Sequence, residues 1–170
     1  MILNKYSFQN FVIDDGNELA HAAAMLAIDG SMEYNPFIVF GKLDSGKTHL
    51  LRATKIAIER KHKKSKILYT TGKKFISKLI NTMRKAYPTY LEDFIKYCCH
   101  YDTIIIDDID YLKGKNYTQE MFHNVIDDLV SRNKRVILAS GMSPSKYLPI
   151  TSEYNSGIIV DIQAPKILKV

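Results

Sequence analysis

The residues with the clearest chemical potential form a glycine-rich loop from Gly41 to Thr48, with the pattern Gly-x(4)-Gly-Lys-Thr. Glycines at both ends let the backbone curl so that its N–H groups face an anion. Lys47 would reach the β- and γ-phosphates of a nucleotide, and the Thr48 hydroxyl would ligate Mg²⁺. The pattern predicts a polyphosphate-binding loop (P-loop, or Walker A motif). A glycine-rich turn that merely shares this spacing is the alternative.

A second group of reactive side chains ends a buried run later in the chain. The apolar run Thr103–Asp107 is followed directly by Asp108. A strand that ends in two carboxylates, placed after a P-loop, is typical of a Walker B motif. Asp107 would hold Mg²⁺, and Asp108 would orient or deprotonate the attacking water, so we expect Lys47 and Asp108 to be the catalytic pair. Ser140 also ends a strand-like run, and it is either a sensor of the γ-phosphate or a simple turn residue.

The elements that must position these groups can be predicted from hydrophobic patterning. Short apolar runs rich in β-branched residues are typical of strands buried on both faces, and helical patterns separate the first four of them. Their alternation predicts an α/β fold, a three-layer α/β/α sandwich around a five-stranded parallel sheet. The predicted strands are Phe37–Phe40, Lys66–Thr71, Thr103–Asp107, Arg135–Ser140 and Gly157–Ile162. The predicted helices are Asn17–Ile28, Lys47–Lys61, Lys73–Lys85, Tyr90–Tyr101 and Thr118–Asn133, with Asn17 and Thr118 as N-caps and Pro88 splitting the third helix from the fourth.

Composition places the chain among ordinary globular proteins. Its 170 residues, 46% apolar and 25% charged, suit one domain over 1–170 with a substantial core. The sequence contains neither an apolar run of membrane-spanning length nor a signal-peptide pattern, so we expect a cytoplasmic protein with no membrane partner. Cys98 and Cys99 are adjacent, which strains a disulfide, and we expect both to be buried helix residues.

The positive charge is concentrated in one part of the sequence. The net charge is +6, and half of the 24 Lys and Arg residues lie between His49 and Lys85, opposed only by Glu59. A basic face of this kind attracts nucleic-acid backbones by counterion release, whereas the alternative is a solvated lysine-rich surface. The residues are Arg52, Lys55, Arg60, Lys61, Lys63, Lys64, Lys66, Lys73, Lys74, Lys78, Arg84 and Lys85.

Six ordered segments resemble the AAA+ domain of the bacterial replication initiator family DnaA, whose relatives include helicase loaders and DnaA-related regulatory proteins. The resemblance covers nearly the whole chain. The first and fourth segments are the most specific, because generic ATPases do not share them. The segments are Tyr6–Ala24, Tyr34–Leu51, Ile67–Asn81, Asp102–Asp127, Val136–Pro144 and Gly157–Pro165.

The resemblance implies roles for particular positions. It implies ATP or ADP with Mg²⁺ as cofactors, an adenine cradle at Phe11, Val12 and Ile13, and Walker B residues at Asp107 and Asp108. It also implies that a helical insertion at about 73–101 faces single-stranded DNA, with Lys78, Ile80 and Arg84 as the contacts to test. The nucleotide-binding residues that it implies are Gly41, Asp44, Ser45, Gly46, Lys47, Thr48, His49 and Ser140.

The chain departs from the family pattern at several positions. Lys42 and Asp44 replace loop glycines, and a carboxylate in a phosphate cradle is expected to weaken binding. Gly141 stands at the position of a sensor aspartate. The segment Pro149–Tyr154 lacks the family's arginines, which act in trans on a neighbour's γ-phosphate. With Val170 as the last residue, we expect the AAA+ base subdomain without a helical lid or a C-terminal helix-turn-helix.

The leading interpretation is therefore a DnaA-like core that binds ATP or ADP in replication initiation or its regulation, and that hydrolyses ATP weakly or not at all alone. Its expected partners are nucleotide, single-stranded DNA, replication proteins or homologous AAA+ domains. The alternatives are a non-enzymatic interaction module with a decayed site and a basic single-stranded DNA binder. A nucleotide kinase is a weaker alternative, since only the P-loop supports it.

Overall fold

The computed structural model describes residues 5–85, 89–144 and 157–166. Its strands are β1 (Phe37–Phe40), β2 (Ile67–Thr71), β3 (Thr103–Asp107), β4 (Arg135–Ser140) and β5 (Ile158–Asp161). Its helices are α1 (Glu18–Asp29), α2 (Lys47–Lys61), α3 (Gly72–Lys85), α4 (Tyr90–Cys99) and α5 (Asn116–Ser131). Short 3-10 turns occupy Phe8–Asn10 and Ile109–Leu112.

The five strands form one parallel sheet in the order β2-β3-β4-β1-β5. Phe37 at the start of β1 pairs with Ile137 of β4 on one side and with Ile158 of β5 on the other. The parallel α/β/α prediction is confirmed. The carboxyl ends of β1 and β3 lie on the same edge of the sheet, which is where ligands bind in such folds.

Helices cover both faces of the sheet and enclose two apolar cores. α1 and α2 pack on one face, where Leu50, Leu51 and Ile58 are fully buried. On the other face α3, α4 and α5 enclose a larger core around Phe75 and Phe122. Strands covered on both faces must be apolar along their whole length, which explains why β1, β3 and β4 read as continuous apolar runs.

The basic residues between His49 and Lys85 are distributed over both faces of the sheet, so the expectation of one basic face is wrong. Right-handed crossovers from β1 to β2 and from β2 to β3 leave α2 and α3 on opposite faces of the sheet. Several of these cations also have local partners. Lys55 pairs with Glu59 at 2.6 Å, Lys61 pairs with Asp29 at 2.5 Å, and the Lys78 ammonium lies 4.0 Å from the Tyr97 ring centroid.

Neither of the two predicted N-cap residues, Asn17 and Thr118, makes a side-chain cap. Asn17 precedes α1 without a side-chain cap; its amide donates instead to the Val12 carbonyl at 2.9 Å and its Oδ1 accepts from the Asp14 N–H at 3.0 Å. The predicted cap Thr118 lies inside α5, which begins at Asn116 after Lys115. α5 therefore begins two residues earlier than the apolar periodicity indicates.

A close backbone contact joins α3 to the end of β3. A Cβ atom on Gly72, the first residue of α3, would lie 2.3 Å from the Asp108 carbonyl oxygen. Real Cβ atoms do not approach backbone so closely, so only glycine fits there.

The adjacent cysteines lie at the end of α4. Cys98 is buried and Cys99 is half-buried, and both are free thiols. Burial raises the pKa of the Cys98 thiol to about 12.

Pro88 and the arginine-free segment Pro149–Tyr154 lie outside the described residues. Within the described ranges, none of the helices combines the length and apolarity that crossing a bilayer demands.

Candidate phosphate-binding site

A cavity of about 500 Å³ opens at the carboxyl edge of the sheet, between the glycine-rich loop and the end of β3. It brings together side chains that lie far apart in sequence, as expected for two motifs at the ends of parallel strands. Its lining residues are Leu43, Asp44, Ser45, Gly46, Lys47, Thr48, His49, Asp107, Asp108, Asp110 and Gly141.

Two glycines shape the loop, each for a different reason. A Cβ on Gly41 would lie 2.2 Å from the Ile162 carbonyl oxygen, so the loop packs directly on the chain after β5. Gly46 has φ +98°, a left-handed conformation that other residues rarely adopt. Asp44 is also left-handed, with φ +60°, and Asp tolerates this conformation better than most residues. The loop shape therefore survives the replacement of glycine at position 44.

The loop ends at the N-terminus of α2, which no side chain caps. The N–H groups of the first helical turn have no intrahelical acceptors, and here they begin at Lys47 and Thr48. Together with the positive end of the helix dipole, they form an anion-binding site.

The Lys47 side chain folds back across the loop and contacts its backbone. Its Nζ donates to the carbonyl oxygens of Gly41 and Lys42, both at 2.6 Å, and lies 3.3 Å from Ser45 Oγ. Burial lowers the pKa of Lys47, and the nearby carboxylates oppose this effect, Asp110 most strongly. An anion in the cavity would offset the cost of burying this ammonium.

The two motifs meet where Mg²⁺ is expected. Thr48 Oγ1 donates to Asp107 Oδ2 at 2.8 Å, and Tyr69 donates to the same oxygen at 3.0 Å. Asp107 is buried, with 9% of its surface exposed. A hydroxyl and a carboxylate in contact, beside a phosphate cradle, fit Mg²⁺, which takes few protein ligands and completes its octahedron with phosphates and water. No group of three His, Cys, Asp or Glu side chains in the described residues is arranged to hold a metal by itself.

Asp108 follows at the mouth of the cavity in a left-handed conformation, with φ +59°. Partial desolvation raises its pKa, and the neighbouring carboxylates Asp110 and Asp107 raise it further. A raised pKa brings the carboxylate closer to the range of a useful general base.

Ser140 lies beneath the cavity rather than in its lining, fully buried at the end of β4. Its hydroxyl lies 2.9 Å from Asp110 Oδ1 and 2.6 Å from the Met142 carbonyl oxygen. The side chain that reaches the cavity at this strand end is Asp110. A direct contact from Ser140 to a ligand would require its hydroxyl to turn away from these partners.

The predicted adenine cradle lies beside the loop. The Phe11 ring packs edge-on against His49, with centroids 5.3 Å apart, and approaches within 3.7 Å of the Cβ position of Gly46. Val12 and Ile13 are 65% and 51% exposed, and the Asn17 amide anchors the Val12 carbonyl. The segment thus presents exposed apolar side chains next to the phosphate loop.

The predicted DNA contacts lie on α3, outside this cavity. Lys78 is exposed and lies over the Tyr97 ring, while Ile80 packs partly against the core. Arg84 is exposed, and Ile80 and Arg84 line a separate apolar groove of about 360 Å³ between α3 and α5. These residues and the phosphate cavity therefore occupy different surfaces.

Sequence patterning missed three residues of the site. Asp110 lies in the 3-10 turn after β3, and Tyr69 reaches Asp107 from the neighbouring strand β2. The Arg52 guanidinium of α2 lies 4.3 Å from the Tyr6 ring centroid, and its interaction with Tyr69 raises the pKa of Arg52. The parallel register, which pairs Tyr69 with Ile105 two residues before Asp107, is the signal that would have indicated Tyr69.

Comparisons with known proteins agree with this arrangement. The family model for the bacterial DnaA ATPase domain matches residues 2–161. The chromosomal replication initiator protein DnaA of Lachnoclostridium phytofermentans is 36% identical over 166 residues. This match covers 95% of the chain but 36% of the relative, so the chain spans about a third of that protein's length.

Solved structures point to the same family. Domain III of the Thermotoga maritima replication initiation protein DnaA has a TM-score of 0.82 at 27% identity, covering 98% of this chain and 70% of that one. A replication initiator DnaA bound to AMPPCP and single-stranded DNA has a TM-score of 0.77 at 27% identity, covering 97% of this chain and 52% of that one. The family match and the 36% identity over 95% of its length together show that the chain belongs to the family of bacterial DnaA ATPase domains.

Proposed function

We propose that this chain binds ATP or ADP with Mg²⁺ in the phosphate cavity and serves as a DnaA-like core in the initiation of chromosomal replication or its regulation. The contact of Thr48 Oγ1 with Asp107 Oδ2 at 2.8 Å carries the proposal, because it joins the two motifs of a Mg²⁺-nucleotide site beside Lys47. The solved relative with AMPPCP supports an adenine nucleotide as the ligand. We propose the cytoplasm as its location.

Each side chain has a distinct role in this proposal. The N–H groups at the start of α2 and the Lys47 ammonium would hold the β- and γ-phosphates. Thr48 and Asp107 would hold Mg²⁺, which neutralises phosphate charge and polarises the terminal phosphate. Asp108 would orient the attacking water, and Val12 and Ile13 would cover the adenine.

Hydrolysis is proposed to be slow when the chain acts alone. Asp44 places an extra carboxylate on the phosphate loop, and Gly141 has no side chain to contact the γ-phosphate. A neighbouring AAA+ domain that supplied a cation in trans would stabilise the transition state. Homologous AAA+ domains and other replication proteins are thus the proposed partners.

Isothermal titration calorimetry with ADP or ATP and Mg²⁺ tests the nucleotide site. Lys47→Ala should weaken binding at least tenfold, because it removes the partly buried ammonium that would face the phosphates. Lys63→Ala, which removes an exposed lysine beyond α2, is the control and should bind like the wild type. Absence of binding in all three proteins would refute the nucleotide proposal and favour an interaction module with a decayed site.

A second proposed function is binding of single-stranded DNA by the surface of α3. Arg84 is exposed at the end of α3 beside the groove that Ile80 lines, so a cation and an apolar surface are adjacent there. Phosphate contacts combined with base stacking on aromatic side chains are usual for single strands, and Tyr117 supplies an aromatic ring in the same groove. The solved relative with single-stranded DNA supports this choice of ligand.

A further inference from the structure

A groove of about 370 Å³ lies between the 3-10 turn at Phe8–Asn10 and one side of α2. It shares no lining residue with the phosphate cavity. The floor is apolar, exposed cations form the rim, and none of the described lining residues carries a carboxylate. An apolar floor with a few polar groups is the usual composition of a ligand-binding site. Ala53, Ile56 and Ala57 form the floor, Phe8 forms a wall, and Arg60 and Lys61 form the rim.

The Ser7 hydroxyl beside this groove makes no hydrogen bond within the part of the chain that the structure describes. Ser7 lines the groove, only 5% of the residue is exposed, and its Oγ is shielded from solvent. The residue stands at the N-cap position of the 3-10 turn, yet its side chain does not cap that turn. A buried hydroxyl without a partner keeps the full cost of its desolvation. A hydrogen-bonding group of a ligand would recover that cost.

Contacts on the far side of the wall hold Ser7 and Phe8 in place. The Ser7 carbonyl oxygen lies 3.1 Å from His49 Nε2. The Phe8 ring packs edge-on against His21 and against Phe11, with centroids 5.2 Å and 6.3 Å apart. The wall is therefore already positioned, and a ligand would not have to order it on binding.

The charges at the rim indicate which ligand fits. Lys61 pairs with Asp29 at 2.5 Å, whereas no carboxylate of the described residues forms an ion pair with Arg60. One unpaired guanidinium beside an apolar floor suits a carboxylate that lies next to an apolar side chain. A nucleic-acid backbone would instead require several unpaired cations in a row. A peptide also brings backbone N–H and C=O groups, and either can pair with a hydroxyl.

We propose that this groove is a docking site for an acidic segment of a partner protein, in which a carboxylate and an apolar side chain are neighbours. The apolar side chain packs on Ile56 and Ala57, and the carboxylate pairs with Arg60. A backbone group of the segment pairs with the Ser7 hydroxyl. The site does not depend on the proposed nucleotide binding, because it lies outside the phosphate cavity.

Selection from a random dodecapeptide library displayed on phage tests the proposal without a known partner. Panning on the wild-type protein should enrich peptides that carry Asp or Glu beside an apolar residue. A labelled synthetic copy of the most enriched peptide then gives Kd values by fluorescence anisotropy. Arg60→Glu should raise the Kd at least tenfold, because repulsion replaces attraction. Arg84→Glu is the matched control, at an exposed arginine in the last turn of α3, and should leave the Kd unchanged.

Ser7→Ala separates a ligand contact from a structural role. It should raise the Kd of the peptide about threefold to tenfold, because one hydrogen bond to the ligand is lost. The thermal unfolding midpoint of the free protein should stay the same or rise, because the hydroxyl has no partner among the described residues.

Three results would overturn the proposal. The first is that the enriched peptides lack acidic residues, or bind Arg60→Glu and Arg84→Glu equally well. The second is a lower unfolding midpoint for free Ser7→Ala, since the hydroxyl would then support the fold. The third is displacement of the peptide by a thymidine oligonucleotide whose own affinity falls in Arg60→Glu, which would assign the groove to nucleic acid.

Discussion

Asp107 receives two hydrogen bonds on one oxygen, and this arrangement would orient the other oxygen toward the proposed Mg²⁺. Thr48 and Tyr69 both donate to Oδ2. Burial, followed by the charge of Asp107, raises the pKa of Tyr69 to about 12, so its phenol remains a donor at neutral pH. Removing a hydrogen-bond partner of a metal ligand commonly lowers metal affinity, because the partner holds the ligand in the orientation that the metal needs.

Tyr69→Phe should therefore weaken nucleotide binding only where Mg²⁺ contributes. We expect affinity to fall about tenfold with Mg²⁺ and to stay nearly constant in EDTA, since the phosphate loop is untouched. Calorimetry under both conditions measures the difference. Tyr34→Phe, at an exposed tyrosine, is the control. Equal losses with and without Mg²⁺ would show that Tyr69 supports the fold rather than the metal ligand.

Asp108 makes the stability of the ligand-free protein depend on pH. The pKa of Asp108 is raised in the folded state. Between the ordinary Asp pKa and this raised value, the folded protein therefore binds more protons than the unfolded chain. Stability falls across this window, and the full cost is present above it. Asp108→Asn should therefore stabilise the protein more at pH 7 than below both pKa values. The pH-dependent difference should stay under about 1 kcal/mol, because solvent screens the group.

Urea denaturation at pH 7 and at pH 3.5 measures this difference. Asn also suits the left-handed backbone at position 108, but that benefit is independent of pH and cancels in the comparison. Glu120→Gln, at an exposed carboxylate of α5, is the control. A stabilisation that is equal at both pH values would show that Asp108 carries no electrostatic cost.

At the scale of elements, the junction between the phosphate loop and β5 depends on the absence of a side chain at Gly41. Gly41 follows β1 and lies against the Ile162 carbonyl, and Ile162 donates its N–H to Phe40 at 2.8 Å. The loop therefore starts at a fixed position on the sheet.

Gly41→Ala should break this junction. A Cβ 2.2 Å from a backbone oxygen forces β5 or the loop to move, and we expect a loss of about 2–4 kcal/mol in the free energy of unfolding. Thermal and urea denaturation measure the loss. The control Gly114→Asn has open space and a left-handed φ of +73° that Asn tolerates, so it should change stability little. Equal effects of the two variants would contradict the proposed clash.

The sequence predicted elements well where local chemistry decides them. β1, β3 and β4 match their predicted bounds, because each is a short, nearly continuous apolar run that is buried on both faces of the sheet. The predicted start of α5 was wrong by two residues, because Asn116 and Tyr117 are exposed and lie outside the apolar periodicity on which the prediction rested. The phosphate loop could be identified because its residues are contiguous. Asp110 could not, because tertiary packing alone brings it to Ser140. Tyr69 could be identified only once the register of β2 against β3 is known.

At the scale of the whole molecule, the sheet separates two positively charged surfaces. α2 carries exposed Arg60 in its last turn, and α3 carries exposed Arg84 in its last turn. The two arginines occupy equivalent places on helices that cover opposite faces, so they form a matched pair for locating a nucleic-acid surface.

Arg84→Ala should weaken binding to single-stranded DNA severalfold, and Arg60→Ala should leave it nearly unchanged. Loss of one phosphate contact should also lower the slope of log affinity against log salt by about 0.7. Fluorescence anisotropy with a labelled oligonucleotide at several salt concentrations measures both quantities. Equal losses in the two variants would indicate nonspecific attraction to the whole basic protein.

The contact between Gly72 and Asp108 gives the molecule a mechanical property. No side chain separates the first turn of α3 from the backbone of the residue that would orient water, so neither can move toward the other without a backbone clash. A ligand that pushes the Asp108 backbone toward α3 must therefore also displace α3. By thermodynamic reciprocity, a ligand that immobilises α3 restrains Asp108 to the same energetic extent.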